Sequence, residues 1–430
     1  MNMKKILQLK RPGMAMPLAV VAIMILLAMG VGLLSLGLNS RIYAIRSASD
    51  IAARCAADDG LEIALYEMNQ NLEVKPWTGE TLPKALNVSL PYSDEICSYL
   101  VKGDSAGNYT VWSIGESGGF KRGVRATLKL RGLFEHAILT KGDLVLKSGT
   151  VIDGYNSSDP LDTDADVDIG TQSTEDQSIV LNAGVEVNGD VIVGVGGDPD
   201  DAIKDLGATT ESQFAGTEND PMPEITAPPL PNMGPSIFAK GNTVTITPAE
   251  SGQYGKIDVR QTSTKEGVSP GILEINGGDV VLHITGDIKL GSLCEIVVAN
   301  DSTLTLYVDG NIDCGEGSGI NTQNPTKSAS TLYIYATGDG SQNFDIKANG
   351  DFTGVIYAPN ADVDLYAGGD AFGSIVADTF EFKAGGNYYY DEALRDVEID
   401  DIGVRFVVDR WYEAKLPSPD AIAAFVEAAK

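Results

Sequence analysis

The chain opens with a long apolar run that continues into a helix-patterned polar segment. Residues 14–38 carry no charge and a single hydroxyl or amide side chain, Ser35. A helix of this length reaches about 37 Å at about 1.5 Å per residue, enough to cross a hydrocarbon core of about 30 Å. Residues 39–74 follow without proline, and one helical face repeats apolar side chains: Leu61, Leu65, Met68 and Leu72. The pattern predicts a transmembrane helix with a helical extension.

Two strand patterns follow the helix. Residues 75–131 hold three alternating runs, at 98–102, 109–114 and 123–131, which predict a small strand-rich region. Residues 132–395 repeat short apolar runs after Gly-Asp or Gly-Asn turns, and Gly350 and Gly369 open similar runs 19 residues apart. Short strands at near-constant spacing favour a solenoid over a sandwich.

The combined pattern therefore predicts a mainly β chain: a long N-terminal α-helix of the pilin-like, transmembrane type, a small sheet, and then a right-handed parallel β-helix. Residues 220–235 contain six prolines and predict an extended excursion across the solenoid surface. Residues 396–430 predict a C-terminal strand and helix. The sequence leaves open whether this segment caps the solenoid.

Composition and charge narrow the range of functions. The 48 glycines fit many tight turns. The net charge is −29, and 27 basic residues stand against 60 acidic ones beyond residue 13. Such an acidic surface repels nucleic acid, so we expect no nucleic-acid partner. The basic residues of the segment 1–13 precede the apolar run, which predicts a cytoplasmic N-terminus, an inner-membrane anchor and an exported body.

The junction between the membrane span and its extension resembles a known family. A basic leader ending in Gly13, a long apolar helix and then AADDGLE at 56–62 are similar to PilX-type minor pilins, in which an alanine-rich stretch follows the same anchor. The resemblance implies cleavage by prepilin peptidase after Gly13, which would leave Met14 as the new N-terminus. It also implies other pilins or pseudopilins as partners, and a set of anchor-helix residues for filament assembly: Leu18, Ala56, Ala57, Gly60, Leu61 and Glu62. Independently of the resemblance, Ala52, Ala56 and Ala57 are small and would let another helix approach closely.

One position departs from the family pattern. Pilins of this type carry a glutamate at the fifth mature residue, and Leu18 stands there in this chain. In the family, that carboxylate neutralises the terminal amine of a neighbouring subunit, and its absence resembles the tip pseudopilin of type II secretion. The departure implies a minor or tip subunit, at the cell surface or in a pilus, with a role in assembly, capping or adhesion. The alternative is a membrane-anchored surface solenoid that is independent of filaments.

The body of the chain also resembles something known. Its motifs at 152–158, 189–197, 354–361 and 390–394 are similar to those of an uncharacterised bacterial domain found behind PilX-type N-termini. That resemblance implies a fold but no activity. A β-helix enzyme acting on polysaccharides would need convergent acids on one face. No localised basic and aromatic cleft accompanies the abundant acids, so we expect a protein that is not an enzyme.

Acidic residues at every second position suggest a metal site. Counted from Asp164, three acids occupy positions 3, 5 and 12 of an EF-hand loop: Asp166, Asp168 and Glu175. Position 6 should be glycine and is Ile169, so a true EF-hand is disfavoured. A solvated acidic loop is the favoured interpretation, and a looser calcium site is the alternative. No other cofactor is expected.

The four cysteines allow three pairings, and export would permit disulfides. Cys294 and Cys314 lie 20 residues apart, about one predicted coil, so they could stack on neighbouring coils. The sequence leaves two alternatives for this pair, a disulfide or two small buried side chains.

Overall fold

The computed structural model describes residues 15–74, 77, 82–103, 108–159, 167–265, 267–322, 324–383, 386–414 and 427. Its internal contacts divide the chain into two units. The first comprises residues 1–129 and 406–430, and the second comprises residues 130–405.

The first unit combines one long helix with an antiparallel sheet. Helix α1 runs without a break over Ala15–Leu72, a length of about 87 Å. Four strands follow it: β1 (Lys84–Ser89), β2 (Ile96–Gly103), β3 (Tyr109–Ser117) and β4 (Phe120–Arg131). They pair in chain order as a meander. The predicted membrane span and its extension are thus one continuous helix.

The second unit is a solenoid of short parallel strands. Its first strands are β5 (Ile138–Thr140), β6 (Leu144–Leu146), β7 (Val151–Tyr155), β8 (Asp168–Thr171), β9 (Ile179–Leu181), β10 (Glu186–Val193), β11 (Ile203–Asp205) and β12 (Thr209–Ala215), with the short helix α2 (Pro199–Ala202) before β11. Inward aliphatic side chains of successive coils form one continuous core.

The chain completes the solenoid after an irregular segment at 216–231. The strands there are β13 (Asn232–Gly234), β14 (Ile237–Lys240), β15 (Thr243–Ile246), β16 (Gly252–Tyr254), β17 (Ile257–Arg260), β18 (Thr262–Thr264), β19 (Gly267–Ser269), β20 (Ile272–Ile275), β21 (Asp279–Ile284), β22 (Ile288–Leu290), β23 (Glu295–Val298), β24 (Thr303–Val308), β25 (Ile312–Cys314), β26 (Gly319–Ile320), β27 (Leu332–Ala336), β28 (Gln342–Ala348), β29 (Phe352–Ala367), β30 (Ala371–Phe382) and β31 (Asn387–Asp391). Single-turn 3-10 helices occupy Pro248–Glu250, Ala329–Thr331 and Glu392–Arg395. The helix followed by a mainly β, solenoid-containing chain confirms the predicted fold class.

The last described strand, β32 (Arg405–Ala414), joins the antiparallel sheet of the first unit beside β4. The C-terminal strand is therefore a sheet strand and not a cap on the solenoid. The predicted C-terminal helix lies in residues that the structure does not describe, except for Glu427.

The coils of the solenoid do not stack in chain order. β5 pairs with β30 on one side and with β8 on the other. β6 likewise pairs with β30 and β9, and β7 pairs with β31 and β10. The first coil therefore lies between the second coil and the last one. On one face the strands follow the order β12, β10, β8, β5, β30, β29, β27, β24, β21, β16, β13.

This order requires residues 216–231, the crossing segment, to travel from β12 at one end to β13 at the other. Eleven strands about 4.8 Å apart span about 48 Å, and the segment can reach about 53 Å when fully extended. Five prolines hold it extended, because proline excludes helix. The crossing segment makes hydrogen bonds to the strands along its route. Pro223 O accepts a hydrogen bond from the Tyr357 hydroxyl on β29 at 2.7 Å, and Pro231 O accepts one from Gln253 N on β16 at 2.8 Å.

A row of tyrosine side chains on the outer face lies under this route. Tyr307, Tyr335 and Tyr357 are in register on β24, β27 and β29, and they alternate with inward residues of the core. Each is at most 3% exposed although it points outward. Met222, Ile225 and Ala227 of the crossing segment pack against the same hydrophobic cluster. The crossing segment therefore acts as an outer layer that buries one face of the solenoid.

Candidate functional site

The first part of α1 exposes apolar side chains on every side. Residues 16–48 are exposed throughout, and Leu18 is 72% exposed. Among the described residues, this is the one helix long and apolar enough to cross a membrane by length and composition. A helix that is apolar all round and has no protein partner needs another apolar environment, either lipid or other helices.

The second part of α1 packs on β2 and β3 with almost no space between the backbones. A Cβ atom on Gly115 would lie 2.1 Å from the Ala53 carbonyl oxygen and 2.3 Å from the Ala57 amide nitrogen. A Cβ atom on Gly60 would lie 3.0 Å from the Cβ of Cys97. Small residues on both elements thus let the helix lie directly on the strands.

This packing corrects one expectation about assembly. Ala56, Ala57, Gly60 and Leu61 are buried against the sheet of their own unit. The expectation that small residues here admit another helix is wrong, because strand β3 already occupies that face. Glu62 and Leu18 are exposed, so of the predicted assembly residues in the described chain these two remain accessible to another molecule. Gly13 and Met14, the predicted cleavage site, lie outside the described residues.

Polar contacts fix the helix to its sheet at two levels. Arg122 on β4 donates two hydrogen bonds to the Asp50 carboxylate, at 2.7 and 2.6 Å, and these bonds lower the pKa of Asp50. The Asn69 side chain donates to Phe406 O at 3.1 Å and accepts from Phe406 N at 2.7 Å. These pairs join residues 72 and 337 positions apart, a separation at which no sequence pattern signals contact.

The proposed calcium ligands are only partly described. Asp164 and Asp166 lie outside the described residues, so this site stays a prediction. Asp168 lies on β8, where its carboxylate is 3.9 Å from His136 Nδ1, and Glu175 lies in the turn before β9. Within the part of the chain that the structure describes, no group of three or more His, Cys, Asp or Glu side chains could hold a metal ion.

The disulfide alternative for Cys294 and Cys314 is wrong. Both residues are free thiols and both are buried. Ile288 pairs with Ile312, 24 residues later, so one coil in this region is longer than the 20 residues that separate the cysteines. Cys314 consequently lies beside Leu290, while Cys294 precedes β23 in a different sheet.

A charged cluster at the start of the crossing segment was not predicted from the sequence. The Asp220 carboxylate accepts a hydrogen bond from Arg405 Nη2 at 3.1 Å, forms an ion pair with Arg131 Nη1 at 3.0 Å, and lies 2.8 Å from His136 Nε2. Burial raises the pKa of Asp220, but the hydrogen bond and charge of His136 and the charges of both arginines outweigh it, so the pKa lies below its usual value. The one sequence feature that could have pointed to this cluster is the position of Asp220 directly before the prolines of the crossing segment.

A family model described as a domain of unknown function, DUF7305, matches residues 238–397, which is less than half of the chain. No curated protein matches the sequence.

Among solved structures, the competence-associated pilin ComZ from Thermus thermophilus is 14% identical, with a TM-score of 0.28, over 85% of this chain and 97% of that one. A glycosylated ice-binding protein, LeIBP, from an Arctic yeast is 12% identical over 59% of this chain and 90% of that one, with a TM-score of 0.28. The DUF3494 domain of a Shewanella frigidimarina ice-binding protein is 15% identical over 61% of this chain and 97% of that one, with a TM-score of 0.22. At scores this low, the likeness establishes neither a shared fold nor a shared function.

Proposed function

We propose that this protein is a non-enzymatic minor pilin or pseudopilin-like subunit of the PilX type. Its N-terminal helix inserts into a type IV pilus or a related filament, and its solenoid is displayed outside the cell for assembly, capping or adhesion. Other pilins or pseudopilins, prepilin peptidase and the inner membrane are its partners, and nucleic acid is not.

The observation that carries the proposal is the difference in exposure between the first and second parts of α1. Residues 16–38 expose apolar side chains on all sides, and residues 39–48, which include Arg41 and Arg46, are also exposed. Residues from Ala53 onward are packed on an antiparallel sheet. One continuous helix therefore has an exposed apolar part that can enter a membrane or a filament, and a second part that packs on the sheet of the first unit. Leu18 supports a tip or minor position, because it offers no carboxylate to the terminal amine of a neighbouring subunit.

The N-terminus of the mature protein tests the proposal. In cells with active prepilin peptidase, mass spectrometry should find a chain that begins at Met14. Gly13→Leu should abolish this processing. Gly30→Leu is the matched control, since a Cβ atom on Gly30 meets nothing within 4 Å, and processing should be unchanged. Recovery of an intact Met1 or Asn2 terminus from the unmodified chain would contradict the proposal.

The second candidate is a membrane-anchored solenoid that is independent of filaments. The same exposed apolar helix favours it, since an isolated transmembrane span presents the same surface. Mass spectrometry of sheared, purified filaments separates the two. If the protein is a pilin subunit, peptides of this chain should be found in the filament fraction. A chain found only in the membrane fraction would support the anchored solenoid.

A further inference from the structure

A cleft of about 260 Å³ lies on the outer face of the first coils of the solenoid, beside the start of the crossing segment. Strands β5, β8, β10 and β12 contribute its floor, and residues 216–220 of the crossing segment form one wall. We call it the Phe214 cleft. It is smaller than the pockets of about 300–1,000 Å³ that enclose drug-sized ligands, so its size suits a single ring.

The floor of the Phe214 cleft is an apolar row that crosses four strands. Leu139, Gly170, Ile192 and Phe214 are in register on β5, β8, β10 and β12. Gly170 has no side chain, so it leaves a recess in this row. The same row continues on the other side of β5 to Tyr357, which the crossing segment buries. Phe214 is 40% exposed, and an open aromatic ring beside a recess can pack against the apolar face of a ligand.

A buried ring nitrogen in the lining is a second and independent sign of a ligand. His136 lines the Phe214 cleft, and its Nε2 atom lies 2.8 Å from the Asp220 carboxylate. Its Nδ1 atom is buried and makes no hydrogen bond with any described residue, since the Asp168 Oδ2 atom is 3.9 Å away. A buried polar atom without a partner is unfavourable, so a hydroxyl group that enters the cleft and reaches Nδ1 gains a hydrogen bond and removes this cost.

The charged side chains of the lining are already paired, which favours a neutral ligand. Arg131 lies 3.0 Å from Asp220 and 3.7 Å from Glu218. His136 lies within 3.9 Å of both Asp220 and Asp168. An anion or a cation that entered the cleft would meet no uncompensated opposite charge and would lose its hydration.

The wall offers neutral hydrogen-bonding groups opposite the apolar floor. Thr217 and Asn219 line the cleft, and both are exposed. A hydroxyl and an amide each donate and accept hydrogen bonds, so they can pair with hydroxyl groups of either orientation. A sugar ring has the matching chemistry, because its C–H face is apolar and its rim carries hydroxyl groups.

We propose that the Phe214 cleft binds one ring of a neutral saccharide. The apolar face of the ring packs on Phe214 and Ile192, and the Asn219 amide binds hydroxyl groups on its rim. A further hydroxyl reaches His136 Nδ1. The site gives the displayed solenoid a ligand for adhesion, so it rests on the proposed function. It lies wholly within the second unit and binding needs no filament, so its failure would leave the proposed cleavage of the N-terminus untouched.

Saturation-transfer NMR of the full chain tests this site, in micelles of a detergent that has no sugar head group. The probes are the methyl glycosides of glucose, galactose, mannose and N-acetylglucosamine, with glucuronate and glucosamine as the anionic and cationic comparisons. We expect at least one neutral glycoside to bind with a Kd between about 0.1 and 10 mM, since a single ring buries little surface. Glucuronate and glucosamine should bind more weakly than that glycoside.

Matched variants separate the Phe214 cleft from the rest of the solenoid surface. Phe214→Ala should weaken binding of the glycoside about fivefold or more. Phe238→Ala removes a similarly exposed ring from β14, outside the cleft, and should change the Kd less than about twofold. Asn219→Ala should weaken binding about threefold. Its control is Asn188→Ala, since Asn188 is exposed on β10 and does not line the cleft. An unchanged melting temperature confirms that each variant is folded.

A variant of His136 tests the buried nitrogen. His136→Gln removes Nδ1 and keeps a donor for the Asp220 carboxylate, so it should weaken binding about threefold. If this variant melts at a lower temperature, Phe214→Ala and Asn219→Ala carry the test, because neither side chain belongs to the charged cluster around Asp220.

Three results would overturn the proposal. The first is the absence of saturation transfer to all four neutral glycosides at about 20 mM, twice the upper limit of the expected Kd. The second is an equal affinity in Phe214→Ala and Phe238→Ala, which would place any sugar binding elsewhere on the chain. The third is tighter binding of glucuronate or glucosamine than of every neutral glycoside, which would show that the cleft selects a charge.

Discussion

Replacement of Asp220 by asparagine should release the crossing segment from the solenoid. The substitution keeps the size of the side chain but removes the negative charge that faces Arg131, Arg405 and His136. Two guanidinium groups then share a partly buried site without their common anion. Burial and the charge of Arg131 already lower the pKa of Arg405, so the loss of Asp220 leaves an unfavourable pair of like charges.

The size of the effect follows from burial and from the remaining acids. Removal of one partner from a fully buried ion pair costs about 3–5 kcal/mol. The side chains of Asp220 and Arg405 are each 19% exposed, and Glu135 remains 3.6 Å from Arg131, so part of the charge stays compensated. We therefore expect the lower end of that range, about 3 kcal/mol.

Hydrogen exchange measured by mass spectrometry reports on this opening directly. A loss of about 3 kcal/mol corresponds to an exchange rate about 100-fold faster for amides of the crossing segment, if opening is local. Glu218→Gln is the matched control, because Glu218 lies 3.7 Å from Arg131 but its side chain is 80% exposed. Equal protection in the Asp220 variant and the control would refute the reasoning.

The same cluster should respond to acid. Because the pKa of Asp220 is lowered in the folded chain, its contribution is fully present above the pKa of an unfolded aspartate, about 3.9, and is lost as the pH falls through the lower folded pKa. The cationic groups that face it are Arg131, Arg405 and His136, and the nearby acids are Glu135, Glu218 and Asp168. Protection of the crossing segment should therefore fall below about pH 4 in the unmodified chain. In the Asp220→Asn variant, the protection of the crossing segment should depend less on pH.

Three further predictions address other parts of the structure. Gly115→Ala places a Cβ atom 2.1 Å from the Ala53 carbonyl oxygen and should lower the free energy of unfolding of the first unit by about 3 kcal/mol in urea titrations; an unchanged midpoint would contradict the close packing. Burial raises the pKa of Cys314 to about 11. A thiol reagent at pH 8 should therefore label the exposed Cys55 in the folded chain, and should label Cys314 only after unfolding. Rapid labelling of Cys314 in the folded chain would contradict its buried position. Asp391→Ala leaves buried backbone N–H groups without an acceptor and should lower the stability of the second unit by about 3 kcal/mol in thermal melts, whereas an unchanged melting temperature would show that water replaces the carboxylate.

Local periodicity was enough to predict the long helix, three of the strands in the small sheet and the solenoid, but not β1. An apolar run followed by a 3.6-residue pattern gave α1, because helix formation depends on neighbours three and four positions away. Alternation within 98–131 gave β2 to β4, and their observed bounds differ from the predicted ones by a few residues. Regular glycine turns between short aliphatic runs gave the solenoid, since each such unit buries its apolar side only by stacking on another.

The arrangement of those elements depended on contacts between distant residues. The insertion of the first coil between the second and the last cannot be read from strands that all carry similar aliphatic residues, because any pair of them could stack. The length of a coil varies with its turns, so the 20-residue spacing of Cys294 and Cys314 did not correspond to a stacked pair. The small residues of α1 likewise suit a helix or a strand equally well, and the fold placed β3 there.

The sequence alone thus determined an apolar helix, a small sheet and a solenoid, because each of these follows from side chains close together in the chain. The tertiary structure decided which strands pair, and therefore that the crossing segment spans about 48 Å. It also decided which charged side chains lie next to one another. Asp220 illustrates the reason. Its partners are brought together from residues as far apart as positions 131 and 405, and a buried charge acquires its meaning only from the groups that the fold places around it.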